Sequence, residues 1–181
     1  KPVSHIREST MKDCSLEFLD RLGTQNYMST GVSALDLAGF QMAQGEMWVY
    51  GARPGMGKTA FALQVLNHNA RLGVNTLFLS AEMGAYEIGR RHIQSCVGGT
   101  EEEWLQDKDA VRQRLDEYYK SATPTHFRLV NSIEDCEREL ISHVKQYGIE
   151  LVCVDYIQLI NSNKGGLYEQ TTDVSKRLKG L

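Results

Sequence analysis

The sequence predicts an α/β protein whose mostly parallel sheet is covered by helices on both faces, and three observations carry that expectation. A glycine-rich loop, Gly51-Ala52-Arg53-Pro54-Gly55-Met56-Gly57-Lys58-Thr59, lies between a short apolar run and an amphipathic stretch. Apolar runs and helix-patterned stretches then alternate along the chain, the signature of a parallel helix-covered sheet. The most apolar run, residues 149–156 continuing to Ile160, reads as a central parallel strand.

Each element follows from local pattern. Residues 1–29 are polar and mixed and read as a linker or leader, with a short helical patch at Leu16, Leu19 and Leu22 ending at Gly23. Thr30-Gly31-Val32-Ser33-Ala34-Leu35-Asp36 leads through Gly39-Phe40 to a turn at Gly45-Glu46. Residues 46–50 read as a buried strand. Residues 60–72 put Phe61, Ala62, Val65, Leu66 and Leu72 on one helical face, with Gly73 as the stop. A second strand is expected over 74–80, then a helix over 85–97 closed by Gly98-Gly99. Thr100 with Glu103 forms a capping box for a charged helix carrying Trp104, Leu105 and Leu115. Pro124 breaks the chain before a short strand at 126–130. Ser132 with Asp135 opens another helix, ended by Gly148, and a polar loop over 161–170 precedes an amphipathic last helix with Val174, Leu178 and Leu181 on its apolar side.

Composition narrows the class. At 181 residues the chain can bury the core of one α/β domain. No run approaches the roughly 20 apolar residues that a spanning helix needs, so no membrane partner is expected. Cys14, Cys96, Cys136 and Cys153 are scattered without a C-x-x-C pair, which suits reduced, packed thiols and a cytoplasmic setting. A formal charge of −3 argues against an electrostatic coat on nucleic acid, without excluding local basic loops. Lys164 reads as solvated surface rather than channel lining, Arg90-Arg91-His92 as an exposed helix face, and Tyr118-Tyr119 and Trp104 as packing residues. His5, His68, His92, His126 and His143 share no metal-ligand spacing.

The loop carries the chemistry. Its glycines let successive N–H groups turn inward at a helix N-terminus, a concave anion site formed by Arg53, Pro54, Gly55, Met56, Gly57, Lys58 and Thr59. Lys58 reads as a solvated point charge for the β- and γ-phosphates of ATP, and the Thr59 hydroxyl as a ligand of Mg²⁺. Leu151-Val152-Cys153-Val154-Asp155 ends an apolar strand in a carboxylate, which suits the Mg²⁺ water shell opposite Thr59. Glu82 ends the strand after the loop helix. It is expected on the same carboxyl edge, where ligands bind in open α/β sheets, as the base for an attacking water. Glu87 reads as surface.

These residues support a family resemblance. The loop continued through Ala60-Phe61-Ala62-Leu63, with Leu79-Ser80-Ala81-Glu82-Met83, Val154-Asp155-Tyr156-Ile157-Gln158-Leu159-Ile160 and Val174-Ser175-Lys176-Arg177-Leu178-Lys179, resembles the ATPase domain of DnaB-type replicative helicases over residues 30–181. The resemblance implies a RecA-like P-loop ATPase core, incomplete at its C-terminal end. It also implies a ring-forming, usually hexameric, ATP-driven motor that moves 5′–3′ on single-stranded DNA and unwinds a forked duplex. Primase and a loader are implied partners, in a bacterial or phage-infected cell or an organelle matrix. By position, Lys58 and Thr59 serve phosphate and Mg²⁺, Glu82 is the catalytic carboxylate, and Asp155 is the metal-side carboxylate. The family's collar domain, Gln sensor, arginine finger and main DNA loop have no counterpart here. A mid-sheet gap between the phosphate-loop strand and the Asp155 strand is therefore expected, along with a charge-neutralising group supplied in trans and little activity from residues 1–181 by themselves. A RecA-like recombinase or signalling ATPase is the alternative, against which the Asp155-Tyr156-Ile157-Gln158-Leu159 run speaks.

Overall fold

The computed structural model describes residues 10–21, 27–163 and 165–181, so His5, Leu22, Gly23 and Lys164 of the expectations above lie outside the described residues. Helix α1 (Met11–Arg21) carries the leader patch, and its Leu16, Phe18 and Leu19 are exposed. A small antiparallel pair, β1 (Tyr27–Ser29) with β2 (Gln41–Ala43), brackets the short helix α2 (Ser33–Leu37). Asp36 holds this lead-in closed by accepting from Thr30 N at 2.7 Å, Thr30 Oγ1 at 2.8 Å and Gly31 N at 3.1 Å.

The main sheet is parallel and has the order β4-β3-β5, with β3 (Thr76–Ser80) between β4 (Thr125–Leu129) and β5 (Leu151–Asp155). Helix α3 (Lys58–Arg71) precedes β3, and α4 (Ala85–Cys96), α5 (Glu101–Gln106) and α6 (Lys108–Ser121) separate β3 from β4. Helix α7 (Ile133–Tyr147) joins β4 to β5, and α8 (Leu167–Lys179) closes the order after one 3₁₀ turn at Ile157–Leu159. Strand β3 is buried throughout, and its alternation divides the core. Leu77 and Leu79 join Ile133, Cys136, Ile149, Ile160 and Val174 on the α7 and α8 side. Phe78 joins Leu63, Leu66, Met83 and Ile88 on the α3 and α4 side. Helices therefore cover both faces, as the chain's alternating pattern requires.

Local signals set most boundaries. The Thr100 and Glu103 capping box is formed, Ser132 Oγ accepts from Asp135 N at the start of α7, and Gly148 ends that helix at φ 62°. Gly73 follows α3 with φ 87°. The single charged helix expected after Thr100 is two, because the Asp107 side chain accepts from Ala110 N and starts α6 afresh. On α3 the buried face is Leu63, Leu66 and Ala70 with Asn67 and Asn69, while Leu72 is exposed.

Two strand expectations are corrected. Residues 46–50 form no ladder, and Trp48, Val49 and Tyr50 are exposed. Strand β5 is not central, since among the described residues it pairs only with β3 and is half-buried over most of its length. A strand becomes buried and central only with ladders on both sides. The expected gap lay between the phosphate-loop run and β5; because residues 46–50 form no ladder, β5 ends the described sheet as an edge instead. Arg90-Arg91-His92 is also not an open face. Arg90 pairs with Glu101 at 3.1 Å, and His92 hydrogen-bonds Tyr119 Oη at 2.7 Å, with burial lowering its pKa. Tyr118 packs as expected beside Ala70 and Ala122.

The thiols match a reduced, packed reading except at Cys14, which is exposed. Burial pushes Cys96 and Cys136 up to about 11 and Cys153 up to about 12, so these three are unreactive as nucleophiles at neutral pH. No helix among the described residues is long and apolar enough to cross a membrane.

Candidate nucleotide site

The glycine loop closes onto the N-terminus of α3. Gly55 and Gly57 adopt φ 78° and 84°, left-handed values that other residues reach only with strain. Met56 N donates to Arg53 O at 3.2 Å, and Phe61 N donates to Gly57 O at 2.9 Å, which starts the helix at the loop's last glycine. The first N–H groups of α3 therefore face the concavity with the positive end of the helix dipole behind them. Arg53, Pro54, Gly55, Met56 and Gly57 are exposed around this rim.

Lys58 departs from the solvated reading. It is half-buried, with Nζ donating to Ala52 O at 3.3 Å and lying 5.7 Å from the centroid of the Tyr156 ring. Thr59 is buried, and its Oγ1 donates to Asp155 Oδ2 at 2.6 Å. That bond joins residues 96 positions apart and ties the loop helix to the end of β5. Asp155 is only 5% exposed and has no other side-chain hydrogen bond among the described residues.

Glu82 reaches the same edge by another route. Ser80 is the register partner of Asp155, and Ala81 N donates to Asp155 O at 2.8 Å. The Ser80 hydroxyl then closes a tight turn, donating to Met83 O at 2.8 Å and accepting from Met83 N at 3.0 Å. Ser80 and Met83 are buried, so the exposed Glu82 is pinned between two anchors with its carboxylate toward solvent. Among the described residues Glu82 makes no side-chain hydrogen bond or ion pair. Glu87 lies exposed on α4, as expected.

Thr59 and Asp155 are thus bonded to each other, Lys58 lies beside them against the Ala52 carbonyl and the Tyr156 ring, and Glu82 shares the sheet edge with no side-chain hydrogen bond to any of them among the described residues. Thr59 and Asp155 offer hard oxygen donors, the chemistry that suits a small divalent cation. Three contributors escaped the sequence reading: the Ala52 carbonyl, the Ser80 hydroxyl and the Tyr156 ring. Only Tyr156 had a usable signal, since it directly follows Asp155.

A parallel α/β sheet, a glycine loop feeding its first core helix, and a strand-end aspartate bonded to the loop threonine define a P-loop protein with a RecA-like core. The particular branch follows from comparison: residues 28–181 match the DnaB-like helicase C-terminal domain, and the chain belongs to that family. It is 29% identical over 165 residues to a "Probable plasmid replicative DNA helicase" of Chlamydia trachomatis serovar L2, covering 84% of this chain and 36% of that protein. It therefore spans little more than a third of the length of such relatives. Two solved structures share the fold. One is described as an ATPase domain, with TM-score 0.74, 19% identity, 96% of this chain and 66% of that one. The other is titled "The Structure Of A DnaB-Like Replicative Helicase And Its Interactions With Primase", with TM-score 0.77, 18% identity, 96% of this chain and 45% of that one.

Proposed function

We propose that residues 30–181 form part of the motor of an ATP-driven replicative DNA helicase, with residues 1–29 as a connecting segment. The observation that carries this reading is the buried Thr59–Asp155 bond beneath the loop, with Lys58 beside it and Glu82 on the same sheet edge. ATP binds with its β- and γ-phosphates at the α3 N-terminus and Lys58. Arg53, Pro54, Gly55, Met56 and Gly57 shape the backbone cradle. The Thr59 hydroxyl and the Asp155 carboxylate would hold Mg²⁺, which would supply charge neutralisation on the phosphates. Glu82, unpaired among the described residues, orients the attacking water and accepts its proton.

The work of hydrolysis drives 5′–3′ movement on single-stranded DNA within a homo-oligomeric ring, a hexamer by family expectation. The group that neutralises charge on the far side of the γ-phosphate comes from an adjacent subunit, so residues 1–181 by themselves are nearly inert. Primase and a loader are the proposed protein partners, in the cytoplasm of a bacterial or phage-infected cell or in an organelle matrix.

Strand displacement on a forked duplex tests the reading. The complete protein with Mg-ATP should release the labelled strand, and Lys58→Ala should abolish both ATP binding and release. Near-normal nucleotide affinity in Lys58→Ala would refute the loop assignment. Tight ATP binding without strand release by the wild type would refute the helicase assignment.

A further inference from the structure

The loop's two cations differ in their surroundings. Arg53 is exposed, whereas Lys58 is half-buried against the Ala52 carbonyl and the face of Tyr156. Asp155 and Tyr156 are consecutive, as are Lys58 and Thr59. The end of β5 thus engages the loop twice, Asp155 taking Thr59 and Tyr156 taking Lys58. An aromatic face attracts an ammonium within about 6 Å of its centroid through the ring quadrupole. Neither the ring nor the carbonyl carries formal charge, so the ammonium keeps its net positive charge and two further N–H donors for phosphate oxygens. A lysine stem loose in solvent must be ordered when an anion arrives. One already resting against a ring has lost much of that freedom beforehand.

We propose that Tyr156 is a positioning residue for Lys58, its ring holding the ammonium at the loop before the triphosphate binds. The inference rests on the loop being the nucleotide site. The hydroxyl of Tyr156 has no part in it; the π face does the holding.

Position 156 in the complete protein is replaced by Phe, by mono-, di- and trifluorinated Phe, and by Leu. Affinity for a fluorescent Mg-ATP analogue and the thermal midpoint are measured for each. Tyr156→Phe should bind as the wild type does. Successive fluorines, which drain the ring face at nearly constant size, should weaken binding stepwise. Tyr156→Leu should bind about two- to five-fold more weakly. Equal affinity across the fluorinated series would overturn the proposal, because a packing role depends on shape alone. Tyr156→Phe as weak as Tyr156→Leu would overturn it too, by assigning the effect to the hydroxyl. Lys58→Ala separates the two levels. If it binds like the wild type, the loop reading falls and the proposal with it. If it loses binding while the fluorinated series is flat, the proposal alone falls.

Discussion

Removing the Thr59 hydroxyl isolates the bond that joins the loop to the strand end. In Thr59→Val the shape is kept and the donor is lost, leaving a carboxylate that is 5% exposed without its 2.6 Å partner. A hydrogen bond to a charged group contributes about 1.5–3 kcal/mol, and an orphaned buried acceptor retains its desolvation cost. The nucleotide-free, metal-free protein should therefore lose about 2–3 kcal/mol. Thr59→Ser keeps the donor and should stay close to wild type. The asymmetry between losing one partner and losing both supplies a sharper test. Adding Asp155→Leu to Thr59→Val should cost less than the two single changes summed, with coupling of about 1–2 kcal/mol. Urea unfolding of the complete protein in EDTA, followed through Trp48 and Trp104 fluorescence, reads these differences. Additive costs, or a Thr59→Val variant within about 0.5 kcal/mol of wild type, would refute the claim that this bond ties α3 to β5.

Three other outcomes follow. Glu82→Gln should keep Mg-ATP affinity within a few-fold and lower steady-state turnover by at least about 10²-fold, since an amide cannot take the proton. Gly31→Ala should destabilise by at least about 1–2 kcal/mol in thermal unfolding, the strain of a left-handed residue. Gly31 sits at φ 72°, and a Cβ there would lie 2.6 Å from His68 Cγ, prying the lead-in from α3. Acid should destabilise the fold through His92 and His126, whose pKa values burial depresses. Both imidazoles are neutral in either state well above the ordinary value of about 6.5. Below that the unfolded chain gains protons first, so stability falls until the folded pKa is passed. His92→Gln should flatten part of that slope in a series of melting curves from pH 8 to pH 5, and an unchanged slope would absolve His92.

What was legible in the chain was local chemistry. Gly73, Gly148, the Thr100 capping box and Ser132 each act within a turn of their own residue, and each sets its boundary as read. The meeting of Thr59 with Asp155 was legible because a loop feeding a helix and the end of a parallel strand share the carboxyl edge of the sheet. Residues 46–50 misled because an apolar run shows readiness for a ladder without supplying the neighbour that makes one. The same holds for β5, whose apolar residues gain only one flanking strand among those described. His92 was misjudged from its charged neighbours, since the aromatic side chains that enclose it come from α6, over twenty residues away. Lys58 looked solvated for a similar reason. The ring beside it belongs to a residue 98 positions further along the chain.

The meeting of Thr59 with Asp155 can nonetheless be traced to parity. Side chains alternate across a strand, so residues two apart share a face. On β5, Leu151 and Cys153 pack with Phe78 and Leu63 on the α3 side, while Val152 and Val154 pack with Leu77 and Leu79 on the other. Asp155 continues the Leu151 and Cys153 series and so emerges on the α3 side, where the first turn of that helix presents Thr59. On β3 the same count runs from Phe78 to Ser80, the residue that fixes the Glu82 turn. The register Phe78↔Cys153 and Ser80↔Asp155 sets both series level at the carboxyl edge. A slip of one residue in β5 would send Asp155 to the α7 side and bury Val152 and Val154 where Leu151 and Cys153 now fit. The apolar alternation that packs the core is therefore also what delivers the carboxylate to the loop.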